Sequence, residues 1–255
     1  MDSPVRTQYY LTPKTFICLT DGTLVFLDLQ NDKYSCLESK YTEPVTRLLG
    51  LTVPTDTLPD AEKRSSIDIP PMGEEEVPEV IQDLITNGLV TRHQHMGKPA
   101  ELLQLQKNLR EMPGFDIGTS PKIRAHHLFH FFKALIIVKS MLRFASMERI
   151  IERVRRRREK FEKNFGPPDD PASKEINEAV EIYKILKPLF VTVKDQCLFN
   201  AFFLIEFLAC YRIFPHWYFG VKLNEFTAHC WVQGGNFIYD DTILNTYRHK
   251  SIMAA

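Results

Sequence analysis

Three residue types that together make a thiol nucleophile occur in order in the last quarter of this chain. Cys197 lies in DQCLFNAFFLIEFLACYR, His229 in EFTAHCWVQ and Asp240 in NFIYDD. A thiol at a helix N-terminus beside an imidazole is held as thiolate, because the helix dipole and the imidazolium both favour the negative charge. Such a thiolate attacks a carbonyl, the histidine carries the proton, and a carboxylate on the second ring nitrogen fixes the tautomer. The chemistry this set offers is peptide-bond hydrolysis through an acyl-enzyme.

The elements that must position these groups are readable nearby. The run Leu198 to Phe214 has apolar residues on nearly every face, which predicts a buried helix beginning near Asp195 with Cys197 in its first turn. A backbone N–H at that helix start is the expected oxyanion donor, with the Gln196 side chain as a further candidate. Thr227 to Val232 is rich in strand formers, Gly234-Gly235 signals a tight turn, and Asn236 to Tyr239 predicts the returning strand. Asp240 ends that strand and is the expected third member. Asp241, its rival, points to the opposite face if the strand continues. Trp231 shares the face of His229 and could wall the site, whereas Cys230 is expected to face away from the histidine.

Cysteine on a helix, histidine on a strand and aspartate after the next strand resembles the transglutaminase-like, papain-related cysteine hydrolases. More narrowly, residues 190 to 250 resemble the leader-peptidase domain of lasso-peptide biosynthesis B proteins. The resemblance is carried by Cys197-Leu198, Phe219-Gly220-Val221-Lys222, Ala228-His229-Cys230-Trp231-Val232, Gly235 and Asp240. The interval from the histidine strand to the aspartate is about one residue short of the family pattern, which keeps Asp241 open. The resemblance implies a leader peptidase that frees the core of a precursor peptide. The core then passes to an asparagine-synthetase-like macrolactam synthetase, and ATP enters through that partner. No cofactor is expected in this chain, which has no phosphate-binding glycine loop. An acyltransferase of the same fold and a non-catalytic leader-binding chaperone are the alternatives.

The first part of the chain has another character. Residues 14 to 37 read as three short strands with turns at Thr20-Asp21-Gly22 and Gln30-Asn31-Asp32. A short helix over Glu43 to Gly50, a proline- and charge-rich segment through Glu76, a helix over Val77 to Ile85 closed by Asn87-Gly88, and a strand at Leu89-Val90 follow. The pattern is winged-helix-like. It resembles the peptide-recognition element of pathways for ribosomally made, modified peptides, in which the precursor's leader adds to the edge of the third strand. The resemblance places leader binding on Lys33, Tyr34, Ser35, Cys36 and Leu37 and on helix residues Val80, Ile81 and Leu84. A purely structural cap is the plainer reading of the same strands. The expected fold class is α+β: a winged-helix-like recognition domain over 1–92, a linker over 93–120, and a helix-rich transglutaminase/papain-like cysteine protease domain over 121–255. Helices are predicted at Pro121 to Phe144, Met147 to Phe165 and Ser173 to Phe190. A binder fused to a peptidase raises the local concentration of its substrate.

Composition sets outer limits. The 255 residues are 44% hydrophobic, enough for ordinary cores, and the formal net charge is zero, which argues against nucleic acid as a main partner. The first residues show no basic-then-apolar signal, and the most apolar stretch, Leu128 to Phe144, is broken by His130, Lys133, Lys139 and Arg143, so no membrane span is predicted. Five cysteines without regular spacing predict reduced thiols and a cytoplasmic setting. Cys18, Cys36 and Cys210 are expected in core packing. His126, His127 and His130 have helical spacing but no cysteine or carboxylate to complete a metal set. The run Arg153 to Arg158 is expected to be a solvated helix face balanced by Glu148, Glu152 and Glu159.

Overall fold

Asp21 and Gly22 both take positive φ, 50° and 71°, in a two-residue connection between paired Thr20 and Thr23. Positive φ at both central residues matches the twist of the strands they join, and Asp-Gly supplies it at least cost. In the computed structural model, which describes residues 9–51, 76–104, 108–114, 121–166, 170–191 and 196–255, this turn starts an antiparallel meander. After β1 (Tyr10–Leu11) come β2 (Thr15–Thr20), β3 (Thr23–Asp28) and β4 (Lys33–Cys36), in the sheet order β2-β3-β4. The Asp28 carboxylate accepts from the backbone N–H of Gln30 and Asn31 and fixes the second turn.

Two helices close this sheet, α1 (Ser39–Leu48) and α2 (Glu76–Thr86). Gly88, at φ 71°, ends α2: its N–H bonds Ile85 O and that of Leu89 bonds Leu84 O, the paired return bonds of a left-handed helix stop. The strand β5 (Val90–Thr91) then pairs with β1. One core of Leu11, Ile17, Leu24, Phe26, Val45 and Ile81, among others, holds sheet and helices together. Most of the proline- and charge-rich segment lies outside the described residues.

The chain forms two compact units, residues 1–103 with 223–225, and 104–222 with 226–255. In the second, β6 (Arg110–Glu111) precedes the helices α3 (Ala125–Phe144), α4 (Met147–Phe165), α5 (Lys174–Phe190) and α6 (Cys197–Ala209). Ser146 and Ser173 cap α4 and α5 by accepting from the N–H of Arg149 and Ile176. Then come β7 (His216–Lys222), β8 (Thr227–Gly234), β9 (Phe237–Ile238), α7 (Ile243–Arg248) and β10 (Lys250–Ala254), in a sheet ordered β10-β7-β8-β9-β6. Residues expected as linker therefore supply an edge strand, β6, parallel to β9. Two polar residues carry no periodicity that could announce it.

Helix α6 is the axis of this unit. Phe202, Phe203, Leu204, Phe207 and Leu208 are fully buried, so every face meets protein, as the unbroken apolar run predicts. Phe203 and Phe207 join Phe131 of α3 and Tyr183 of α5 in an aromatic cluster, and Phe202 stacks on Trp217 of β7 at 5.5 Å. The helix stops at Ala209, short of the predicted Phe214, where Arg212 at φ 63° turns the chain before Pro215. The one charged residue of the helix, Glu206, is buried and gripped by both terminal nitrogens of Arg157, at 2.9 and 2.7 Å, with Arg153 at 3.7 Å. This corrects the expectation of a wholly solvated arginine face. Arg156 does pair with Glu152 on the surface, but Arg157, joined at 3.7 Å by the exposed Arg153, reaches a buried carboxylate far away in sequence.

Candidate active site

Cys197 is the first residue of α6, after Gln196 at the N-cap. The dipole of a thirteen-residue helix thus points its positive end at the half-buried thiol. Gln196 is exposed and its side chain makes no capping bond. Asp195, where the helix was expected to begin, lies outside the described residues.

His229 comes from β8, opposite Gly220 of β7. A Cβ at Gly220 would lie 3.0 Å from the Trp231 ring and 3.1 Å from His249 and from Lys250 O, so glycine leaves space that these neighbours would otherwise have to give up. Trp231 lies nearly parallel to the imidazole at 6.3 Å, as its shared face predicts. A second histidine flanks the ring: His249 is 5.0 Å away, donates from Nδ1 to Asn245 O and is hydrogen-bonded through Nε2 to the Thr227 hydroxyl at 3.2 Å. His249 follows α7 and has no sequence motif around it that could single it out.

The carboxylate on the imidazole is Asp241, which accepts from His229 Nε2. Its Oδ1 also accepts from Thr242 N at 2.7 Å and Asn245 Nδ2 at 3.1 Å, so three donors fix it. Asp240, the expected third member, instead binds Lys187 of α5 at 3.2 Å. The correction has a simple cause. Strand β9 ends at Ile238 and the chain bends over residues 239–241, so the alternation that favoured Asp240 no longer holds. With Nε2 taken by Asp241, Nδ1 is the ring nitrogen left for Cys197.

The surroundings set the charges. Hydrogen bonding from the Cys230 thiol and then from His229 outweighs burial and, with the Cys230 backbone N–H and the imidazolium charge, holds the Cys197 thiol down at about 4. Burial opposes the charge on His229, but Asp241 and Cys197 overcome it and raise the imidazole to about 9. Asp241 stays low because His229, Thr242 and Asn245 outweigh its burial, whereas burial raises Asp240 against the pull of Lys187. The resting site is a thiolate–imidazolium pair. Cys230, expected to face away from the histidine, is buried, and the neighbouring Cys197 thiolate together with burial pushes its own thiol far up.

The other expected positions separate by burial. On β4, Lys33 and Cys36 are exposed and Tyr34 and Ser35 half-buried, so Cys36 corrects the expectation of a core cysteine, while Cys18 is buried. Leu37, Ile81 and Leu84 lie inside the core of their own unit and hold α2 to the sheet, which corrects their assignment as peptide contacts; Val80 is half-buried at the border of that core. His126, His127 and His130 pack ring against ring, and His127 Nδ1 accepts from Arg124 N. Among the described residues no three histidine, cysteine or acidic side chains gather as metal ligands, and no helix is long and apolar enough to cross a membrane.

Residues 134–253, from the middle of α3 to β10, match the transglutaminase-like superfamily. The matched segment contains Cys197, His229 and Asp241, and domains of that superfamily are compatible with cysteine protease or acyltransferase chemistry. No protein of curated function and no solved structure matches the chain.

Proposed function

We propose that the protein is a cysteine endopeptidase that removes the leader from the precursor of a lasso peptide. The observation that carries the reading is the arrangement at the start of α6: Cys197 at the helix N-terminus and a His229 whose Nε2 is held by Asp241, which favours a thiolate, at about 4, and an imidazolium, at about 9. Cys197 attacks the carbonyl at the leader–core junction, with backbone N–H groups of the first turn of α6 facing the oxyanion. The proton on His229 Nδ1 goes to the leaving amine as the tetrahedral intermediate collapses, and Asp241 keeps the ring oriented throughout. Water activated by His229 then releases the acyl-enzyme. The core peptide, now with a free amine, is the substrate of the ATP-using macrolactam synthetase. The likeness of residues 190 to 250 to lasso B proteins supports this choice among the chemistries that a transglutaminase-like domain allows.

The leader docks on the first unit, along β4, the last strand in the order β2-β3-β4, with Lys33, Tyr34, Ser35 and Cys36 beside it and Val80 at its border. An acyltransferase would use the same three residues and differ only in the acceptor. The deciding experiment is mass spectrometry of a precursor peptide encoded beside this gene, incubated with wild type and with Cys197→Ala, each with and without the neighbouring synthetase. A leader fragment with a free carboxyl terminus, made only by wild type, is the expected result. A leader joined to an amine identifies an acyltransferase, and an intact but bound precursor identifies a chaperone.

A further inference from the structure

Both ends of α7 reach the imidazole of the candidate site. Asp241, just ahead of the helix, holds His229 Nε2, and His249, just after it, lies with its ring centre 5.0 Å from that of His229 at an angle of 36°. The helix joins the two groups: the Asn245 side chain donates to Asp241 at 3.1 Å, and the Asn245 carbonyl accepts from His249 Nδ1 at 2.8 Å. Gly220 leaves room for the approach. The place a Cβ would take there is bounded by the Trp231 ring at 3.0 Å and by His249 Cβ at 3.1 Å, so His249 reaches His229 from the far side of β7 over a residue without a side chain. Alternation along β8 puts Thr227, His229 and Trp231 on one face. Trp231, next along that face, lies 6.3 Å from the imidazole at 19°, whereas His249 is bonded through Nε2 to Thr227, the preceding residue of that face. The imidazole is therefore flanked by a ring on each side along the strand.

We propose that His249 is a positioning residue which, opposite Trp231, keeps the His229 ring aimed at the Cys197 sulfur after the thiolate has been consumed. The inference rests on Cys197 and His229 being the reacting pair of the proposed peptidase, and is independent of which peptide is cut. In the resting site a negative charge draws each ring nitrogen, Asp241 at Nε2 and the Cys197 thiolate toward Nδ1. Acylation makes the sulfur neutral. Asp241 is then the one charge still holding the ring, at the moment when Nδ1 must take a proton from water. Contact with a fixed ring on each side does not depend on the lost charge. Truncating His249 therefore slows deacylation and leaves the attack of the thiolate as it was.

The ester p-nitrophenyl acetate separates the two steps without a leader. The thiolate attacks the ester carbonyl, the C–S bond forms, the C–O bond breaks and p-nitrophenolate leaves. Water then gives a proton to His229 Nδ1 and adds to the carbonyl, the C–S bond breaks, and acetic acid and the thiolate are released. Acylation appears as a burst of p-nitrophenolate, and the steady rate that follows reports deacylation. In full-length His249→Ala the burst is expected at the wild-type rate and size, which also shows a folded site, while the steady rate falls roughly tenfold. His249→Gln, which has no ring but can still bond Asn245 O, should show the same fall and replaces the alanine variant if that one does not fold. His249→Phe, which keeps a ring and none of the hydrogen bonds, should recover most of the rate. An unchanged steady rate in His249→Ala and His249→Gln overturns the proposal, as does a burst that slows as much as the steady rate, or a His249→Phe as slow as the variants without a ring. All of these outcomes leave the nucleophile in place. A wild type that releases p-nitrophenolate no faster than Cys197→Ala removes the nucleophile itself, and with it both the peptidase reading and the role of His249.

Discussion

The two units handle polar groups in opposite ways. In the first, an apolar core is sealed by a sheet and two helices, and β4 turns outward with exposed side chains at Lys33 and Cys36 and half-buried ones at Tyr34 and Ser35. In the second, ionisable groups are drawn into half-buried positions around one helix N-terminus, where each alters its neighbours' charge. A surface of the first kind can hold an extended peptide with little regard to which side chains it carries. A site of the second kind can break a bond but depends on a handful of atoms. Substitutions should therefore divide cleanly, with those at α6 and β8 removing turnover and those at β4 removing affinity.

The largest effect is expected for Cys197→Ala. Loss of the nucleophile should lower turnover by at least about 10⁴-fold, since what remains comes from binding and the oxyanion donors alone. Leader affinity, measured by fluorescence polarisation of a labelled leader, should be unchanged. A parallel fall in affinity would show that the division between the units fails.

The neighbouring carboxylates sharpen the comparison within the second unit. Asp241→Asn leaves the ring with the wrong hydrogen-bond partner and should lower kcat by roughly 10²–10⁴-fold. Asp240→Asn weakens only the bond to Lys187, so it should keep most of the activity and show a lower melting temperature. Equal losses in kcat would return Asp240 to the site. The pH profile of kcat/KM tests the charges directly. Activity should rise as pH passes about 4, where Cys197 loses its proton, and fall as pH passes about 9, where His229 loses the proton needed by the leaving group. In Asp241→Asn the descending limb should move to lower pH, since the carboxylate that raises His229 is gone.

A structural effect comes next in size. Arg157→Ala leaves the Glu206 carboxylate buried with only the more distant Arg153, and should destabilise the second unit by about 3 kcal/mol, read by chemical denaturation. Glu206→Gln should cost less, because it removes the buried charge itself.

What the sequence disclosed follows the same division. Cys197, His229, the hairpin and α6 were legible because a rare residue type, an unbroken apolar run and a Gly-Gly turn are local signals. The meander and α2 were legible from turn residues and helical spacing. Asp241 was legible only as a rival: the short interval after the histidine strand kept it open, but the alternation of a continuing strand favoured Asp240, and β9 stops at Ile238. Cys230, His249 and the Arg157–Glu206 pair depend on which distant segment each meets, and β6 is too short and polar to show a period. Burial decided the rest: a strand or helix pattern names Leu37, Ile81 and Leu84 equally well as core or as contact, and the packing of α2 makes them core.

The smallest expected effect tests the first unit alone. Leu37 N–H bonds Leu24 O at 2.9 Å, so by the alternation of an antiparallel ladder Ser35 directs its backbone groups to β3 and Cys36 directs its own away. Cys36→Pro therefore removes an outward N–H without taking a bond from the meander, and strand geometry at Ser35 suits the residue before a proline. A single backbone hydrogen bond is worth about 1 kcal/mol net, so leader affinity should fall roughly fivefold while Cys36→Ala leaves it unchanged. Turnover at saturating precursor should be the same in both variants, because the thiolate lies in the other unit. Wild-type affinity in both variants would move the leader off β4, and a loss in Cys36→Ala as large as in Cys36→Pro would mean that the side chain, not the strand edge, is what the peptide reads.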